Sequence, residues 1–91
     1  MTIDDLYNKI EDRKKNMPEN SYVTALFRDG LDRIIQKVGE ESTEVVIAAK
    51  NESKRRVISE VADLWFHTLV LLAKLNIKPS EVMKELESRK R

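Results

Sequence analysis

The sequence predicts an all-α fold, and three observations carry that prediction. Apolar residues recur at the three-and-four spacing of a helix face, no stretch alternates at the period of two that a half-buried strand needs, and Ser, Asn, Gly and Pro fall between the periodic segments. The pattern resolves into a helical bundle of four main helices plus a short connector helix, forming one domain over residues 1–91.

Thr2 and Asp5 form the pattern of a capping box with aspartate in the usual glutamate place, and Ile3, Leu6, Tyr7 and Ile10 follow at helical spacing. A first helix therefore runs from about Ile3 to Lys15. Asn16, Pro18 and Asn20 break it, and Ser21 is placed to cap a short helix from Tyr22 to about Asp29 that Gly30 ends in a left-handed conformation. The next apolar and small-residue stripe, from Leu31 through Ile34, Ile35, Val38, Ser42, Val45 and Val46 to Ala49, continues to Lys50. Asn51 is its stop, a turn signal spans Asn51 to Ser53, and Ser53 is the following N-cap. Gly39 lies inside that helix, where glycine costs roughly 1 kcal/mol relative to alanine; close approach of another helix or a ligand competes with a tolerated defect as its explanation. The longest helix runs from Lys54 to about Leu75 and is closed by Asn76, and Pro79 suits the first turn of a last helix bearing Val82, Met83 and Leu86.

Composition narrows the function. Charged side chains make up 36% of the 91 residues but nearly cancel to a net charge of +1, which gives neither nucleic acid nor an acidic membrane an electrostatic footing. There is no cysteine, hence no disulfide framework and no thiolate metal site, and packing must hold the fold. Asp4 and Asp5 stand where a signal peptide would be basic and then apolar, and the longest uncharged run, Leu64 to Ala73, is half of a membrane span of about 20 residues. The expectation is a soluble, cytoplasmic protein.

Around the longest helix, Val57, Val61, Leu64, Trp65, Phe66 and Thr68 to Leu72 surround nearly the whole circumference. Only Glu60, Asp63 and His67 interrupt them, on one stripe about 60° wide. A helix apolar all round is a buried helix, and a chain this short buries one more readily with a second copy, so the fold is expected to be completed by homodimerisation or a higher homo-oligomer.

The stretch from Lys37 to His67 carries the chemistry. It holds two acidic pairs, Glu41 with Glu44 and Glu60 with Asp63, separated by 15 residues. Residues three apart on a helix share a face, so a hairpin of the two helices aims four carboxylates at one point. Crowded like charges on an apolar helix are costly unless a cation compensates, and oxygen-only ligands favour Mg²⁺ or Mn²⁺ over Zn²⁺. Salt bridges are the plainer alternative: Lys37 precedes Glu40 and Glu41 by one turn, and Lys54, Arg55 and Arg56 precede Glu60. For Glu40 or Glu52 taken alone, a solvated face is the better reading; for the four acids together, a metal site is. His67, beside apolar neighbours, reads first as a hydrogen-bonded core residue and otherwise as a group that orients the Asp63 carboxylate from outside the ligand set.

This acidic pattern resembles the signature of the all-α, MazG-like nucleotide pyrophosphohydrolases. More narrowly, Ser21-Tyr22, the run Lys37-Val38-Gly39-Glu40-Glu41 with Glu44-Val45-Val46 and Ala48-Ala49-Lys50, and Glu60-Val61-Ala62-Asp63-Leu64 with His67 and Leu71-Leu72 resemble the phosphoribosyl-ATP pyrophosphohydrolases of histidine biosynthesis. The likeness extends from about Ile3 to Arg89. Phe66 stands where that family often has tyrosine, and no cyclohydrolase domain precedes this one as in fused versions; neither departure touches the acids.

The resemblance implies a MazG-like bundle and hydrolysis of the α–β phosphoanhydride of phosphoribosyl-ATP, giving phosphoribosyl-AMP and pyrophosphate. Glu41, Glu44, Glu60 and Asp63 are then the metal ligands, with Glu40, or one of those four and Glu41 first among them, as the base. Lys37, Lys50, Lys54, Arg55 and Arg56 are candidates for binding substrate phosphates. Two other readings compete: a housecleaning pyrophosphohydrolase acting on ordinary nucleoside triphosphates through the same acids, and a non-catalytic helical dimer.

Overall fold

The computed structural model describes residues 1–51 and 53–89. Glu52, and with it the middle of the turn signal between Asn51 and Ser53, lies outside the described residues. Five helices follow one another: α1 (Ile3–Asn16), α2 (Tyr22–Asp29), α3 (Leu31–Asn51), α4 (Lys54–Lys74) and α5 (Pro79–Ser88), with no strand among the described residues. The short α2 is the connector, and the fold is all-α as the periodicity requires.

Local chemistry sets the boundaries. At the start of α1 the Asp5 N–H donates to Thr2 Oγ1 at 3.0 Å and the Thr2 N–H donates to Asp5 Oδ2 at 2.9 Å, the reciprocal pair of a capping box. Met17 closes the helix with a left-handed backbone, φ 47°, its N–H reaching the Arg13 carbonyl at 2.8 Å. Ser21 and Ser53 cap α2 and α4 through the N–H groups of Thr24 and Arg56. Gly30 ends α2 at φ 95° and ψ −175°, which differs from the left-handed cap read from the sequence. That region is essentially open to glycine alone, and it lets α3 begin at the very next residue.

The end of α4 is a Schellman motif with asparagine in the left-handed position. The Ile77 N–H reaches the Leu72 carbonyl at 2.9 Å, the Asn76 N–H reaches the Ala73 carbonyl at 3.2 Å, and Asn76 has φ 59°. Lys14 of α1 then donates from Nζ to the Ala73 carbonyl at 2.7 Å and to Asn76 Oδ1 at 2.6 Å. A cation therefore caps the negative end of the α4 dipole from a different helix.

The core is assembled from every helix but the last: Tyr7 and Ile10 of α1, Val23 and Leu26 of α2, Ile34 of α3, and Leu69, Val70 and Ala73 of α4. The Tyr7 hydroxyl donates to the Ile77 carbonyl at 2.7 Å and so ties α1 to the chain beyond α4. The helices α3 and α4, each of 21 residues, pack along one another as a hairpin, and α5 lies against α1.

Two expectations can be set against the single chain. In the single chain α4 is not buried all round: Ile58 and Trp65 are 51% and 57% exposed, and Val46, Val82, Met83 and Leu86 on the neighbouring helices are also exposed. Gly39 is exposed as well, and a Cβ built there meets nothing within 4 Å, so no crowding inside this chain requires glycine. No helix among the described residues is long and apolar enough to cross a membrane.

Candidate active site

In the α3–α4 hairpin the two acidic pairs stand at matching distances from the connection, so they come level. Carboxylate oxygens of Glu41, Glu60 and Asp63 all lie within 4.8 Å of one another. Glu41 and Glu60 are buried, 9% and 6% exposed, and Asp63 opens to solvent. The donors are oxygen only, which suits a hard divalent cation. Glu44 is not drawn into this cluster: about 60° further round the helix from Glu41, it is exposed on the solvent side.

Bases supply part of the counter-charge, more than the sequence suggested. Lys37 Nζ is 3.3 Å from Glu41 Oε1 and 3.5 Å from Glu40 Oε1, and Arg56 Nη2 is 2.8 Å from Glu60 Oε1. Burial alone would lower the Lys37 pKa, but the hydrogen bond to Glu41 and the charges of Glu41 and Glu40 outweigh it and hold the ammonium above its ordinary range. Lys37 is therefore charged at any physiological pH. Glu40 also accepts from Gln36 Nε2 at 3.3 Å and stays at the exposed edge. Lys50, Lys54 and Arg55 are exposed near the hairpin connection, and among the described residues no ion pair brings them to the acids.

Both the motif residues and the geometry point to one family. The family described as phosphoribosyl-ATP pyrophosphohydrolase matches residues 3–90 of this chain. The chain belongs to that family. Among its relatives, a protein of Clostridium acetobutylicum is 54% identical over 84 residues, covering 92% of this chain and 76% of the relative. One of Geobacter sulfurreducens is 50% identical over 84 residues, covering 92% and 78%. One of Methanocella arvoryzae is 46% identical over 91 residues, covering 98% and 96%. All three are named phosphoribosyl-ATP pyrophosphatase. The resemblance read from the Lys37-to-Glu41 run and the Glu60-to-His67 segment is borne out, and the chain is a hydrolase.

Within this member of the pyrophosphohydrolase family, His67 sits beside the cluster without facing its carboxylates. It is 5% exposed; Nδ1 lies 2.7 Å from the backbone carbonyl of Asp63 and Nε2 lies 2.7 Å from the Tyr22 hydroxyl. The hydrogen-bonded core role weighed for it describes these contacts, and the idea that it orients the Asp63 carboxylate does not. Tyr22, which the sequence reading did not place at the site, lies next to it. The residue is 52% exposed, and its ring lies 6.2 Å from Phe66 at an interplanar angle of 25° and meets His67 edge-on at 5.7 Å. The available signal was an aromatic in the first turn of a connector helix directly after a capping serine, a place where packing alone does not call for one.

Proposed function

We propose that the chain hydrolyses the α–β phosphoanhydride of phosphoribosyl-ATP to phosphoribosyl-AMP and pyrophosphate, with Mg²⁺ or Mn²⁺ held by Glu41, Glu44, Glu60 and Asp63. One observation carries the proposal: three carboxylates from two helices converge within 4.8 Å, in a chain whose relatives are named for this substrate. A divalent cation bound there would neutralise triphosphate charge and lower the pKa of a water.

The chain's own groups do the rest. Glu41 and Glu60 are fixed by Lys37 and Arg56 and are preset as ligands; Asp63 faces the open side, and Glu44 joins from its exposed position on the same helix as Glu41. Lys37 and Arg56 lie against the acids and exchange part of that pairing for substrate phosphate oxygens, which a planar guanidinium grips in two places. Glu40, which shares Lys37 with Glu41, takes the proton of the attacking water, or Glu41 does so.

We read the working enzyme as a homodimer. A groove of about 1080 Å³ bounded by Leu64, Trp65, Leu72, Val82 and Met83 leaves apolar surface open along α4 and α5, and a second copy would cover it.

The test is pyrophosphate release from phosphoribosyl-ATP, with and without Mg²⁺, against a panel of ordinary deoxynucleoside triphosphates. Mg²⁺-dependent release from phosphoribosyl-ATP well above the panel is the expected result. Preference for an ordinary nucleotide would move the chain to a housecleaning role, and no release from any would remove the catalytic reading.

A further inference from the structure

A second cleft, of about 500 Å³, opens between α1 and α2 on the other side of Tyr22 and is taken up by none of the roles assigned so far. Its size suits a nucleotide fragment. Tyr22 and Phe66 form its aromatic wall, and Lys9 and Arg13 line it from α1. These two cations are one helical turn apart, so both project from one face. Among the described residues neither makes an ion pair, and Arg13 only donates weakly to the Lys9 carbonyl at 3.4 Å. Glu19, exposed at the rim, is the acid that lines the same cleft.

The aromatic wall of the cleft is linked to the acid cluster through α4. Phe66 is one turn of α4 from Asp63, and the Tyr22 hydroxyl is held by the histidine that binds the Asp63 carbonyl. The substrate has matching parts. Phosphoribosyl-ATP carries, besides its triphosphate, a second ribose with a terminal phosphate on the far side of the purine, and an ordinary nucleoside triphosphate lacks that arm. In that reading Lys37 and Arg56, beside the acids, serve the triphosphate, and Lys50, Lys54 and Arg55 lie toward the hairpin connection, so the second phosphate is left to other cations.

We propose that Lys9 and Arg13 bind the phosphoribosyl phosphate in this cleft, with the exposed face of Tyr22 carrying the purine between cleft and acids. The proposal rests on the substrate reading above. Lys9 and Arg13 are then specificity-determining residues. They separate phosphoribosyl-ATP from the nucleoside triphosphates that share its other end.

Binding of phosphoribosyl-AMP and of AMP, measured by titration calorimetry on the full chain, tests this apart from catalysis, because neither ligand has an α–β anhydride to cleave. The wild-type protein should prefer phosphoribosyl-AMP. In the Lys9→Gln, Arg13→Gln double variant that preference should disappear: phosphoribosyl-AMP weakens about 10- to 100-fold, the worth of a lost charge-assisted hydrogen bond or two, while AMP changes by no more than about twofold. Both side chains lie on the surface of one helix, so an unchanged melting temperature is expected and confirms folding. Equal weakening of both ligands, no weakening of either, or a wild-type protein that binds AMP as tightly as phosphoribosyl-AMP overturns the proposal. Wild-type turnover of phosphoribosyl-ATP together with an unchanged preference in the variant leaves the catalytic reading standing and removes only this one.

Discussion

Tyr22 and His67 are joined by a hydrogen bond of 2.7 Å between the phenolic oxygen and Nε2. Its direction follows from the other side of the ring. Nδ1 faces the Asp63 carbonyl, which can only accept, so Nδ1 carries a proton, and in that tautomer Nε2 accepts from the tyrosine. The pair thereby fastens α2 to α4 one turn from an acid of the cluster. It also fixes the tilt of an aromatic ring that is otherwise half exposed.

A different side chain in the same short helix lacks such a partner. Thr24 is 2% exposed, and among the described residues its Oγ1 has no hydrogen-bond partner. A buried orphan hydroxyl costs about 1 to 3 kcal/mol, and valine has nearly the same shape. Thr24→Val should therefore raise unfolding free energy by about 1 kcal/mol in urea titration. A loss of stability would show that the hydroxyl is satisfied in solution.

Tyr7 links stability to alkaline pH. Burial first, then the negative charges of Glu11 and Glu81, raise the phenol above its ordinary 10.0. A folded pKa raised over the unfolded one contributes stability that is fully present below about pH 10 and is lost as pH climbs through the folded value. Tyr7→Phe should cost about 1 kcal/mol at pH 8, through the lost bond to the Ile77 carbonyl, and should flatten the fall of stability above pH 10. Lys37 also loses its stabilising charge in that range, but equally in both proteins, so the difference between them reports Tyr7. Parallel curves would contradict the assignment.

At Gly39 an added methyl group meets nothing within 4 Å. Gly39→Ala should raise stability by roughly 1 kcal/mol, the ordinary helix-interior difference. If turnover falls while stability rises, the glycine serves a partner or ligand that approaches from outside this chain. A fall in stability would mean that the helix is strained there.

The helices were legible because their ends carry explicit chemistry: Thr2 with Asp5, Ser21, Ser53 and Pro79 each mark a start that the structure places at the same residue. The convergence of Glu41, Glu60 and Asp63 was legible for a similar reason, since i, i+3 spacing on two antiparallel helices leaves little freedom. Ion pairing to Lys37 and Arg56 was undervalued because long flexible side chains reach across a turn in ways that residue spacing only permits. The Tyr22–His67 bond was not legible at all. It joins residues 45 positions apart, and neither periodicity nor local propensity records which helices cross. The exposed Trp65 marks the opposite limit: apolar pattern shows that a surface wants cover and is silent on which copy supplies it.

That surface gives the assembly test. Trp65 is 57% exposed and lines the α4 groove. If a second copy covers it, the wild-type protein should sediment as a dimer at micromolar concentration and Trp65→Glu as a monomer, because burying an unpaired carboxylate at an apolar interface costs several kcal/mol. A wild-type monomer with a cooperative melt would end the dimer reading.

Asp63 and His67 lie one turn apart, yet their substitutions should fail differently. Asp63→Asn removes a full charge from three converging carboxylates and should abolish turnover at any practical Mg²⁺ concentration, with little change in melting temperature because Asp63 is exposed. His67→Asn leaves the acids in place but shortens the side chain, so it no longer reaches the Tyr22 hydroxyl. Losing buried hydrogen bonds costs about 1 to 3 kcal/mol, so the melting temperature should drop. Turnover should fall about 10- to 100-fold, as for residues that hold others in position. Because the defect lies in how α2 sits on α4, added Mg²⁺ should not restore the rate. Rescue by Mg²⁺ at an unchanged melting temperature would mean that His67 acts on the cation site itself, and loss as complete as in Asp63→Asn without destabilisation would place it in contact with the reacting groups.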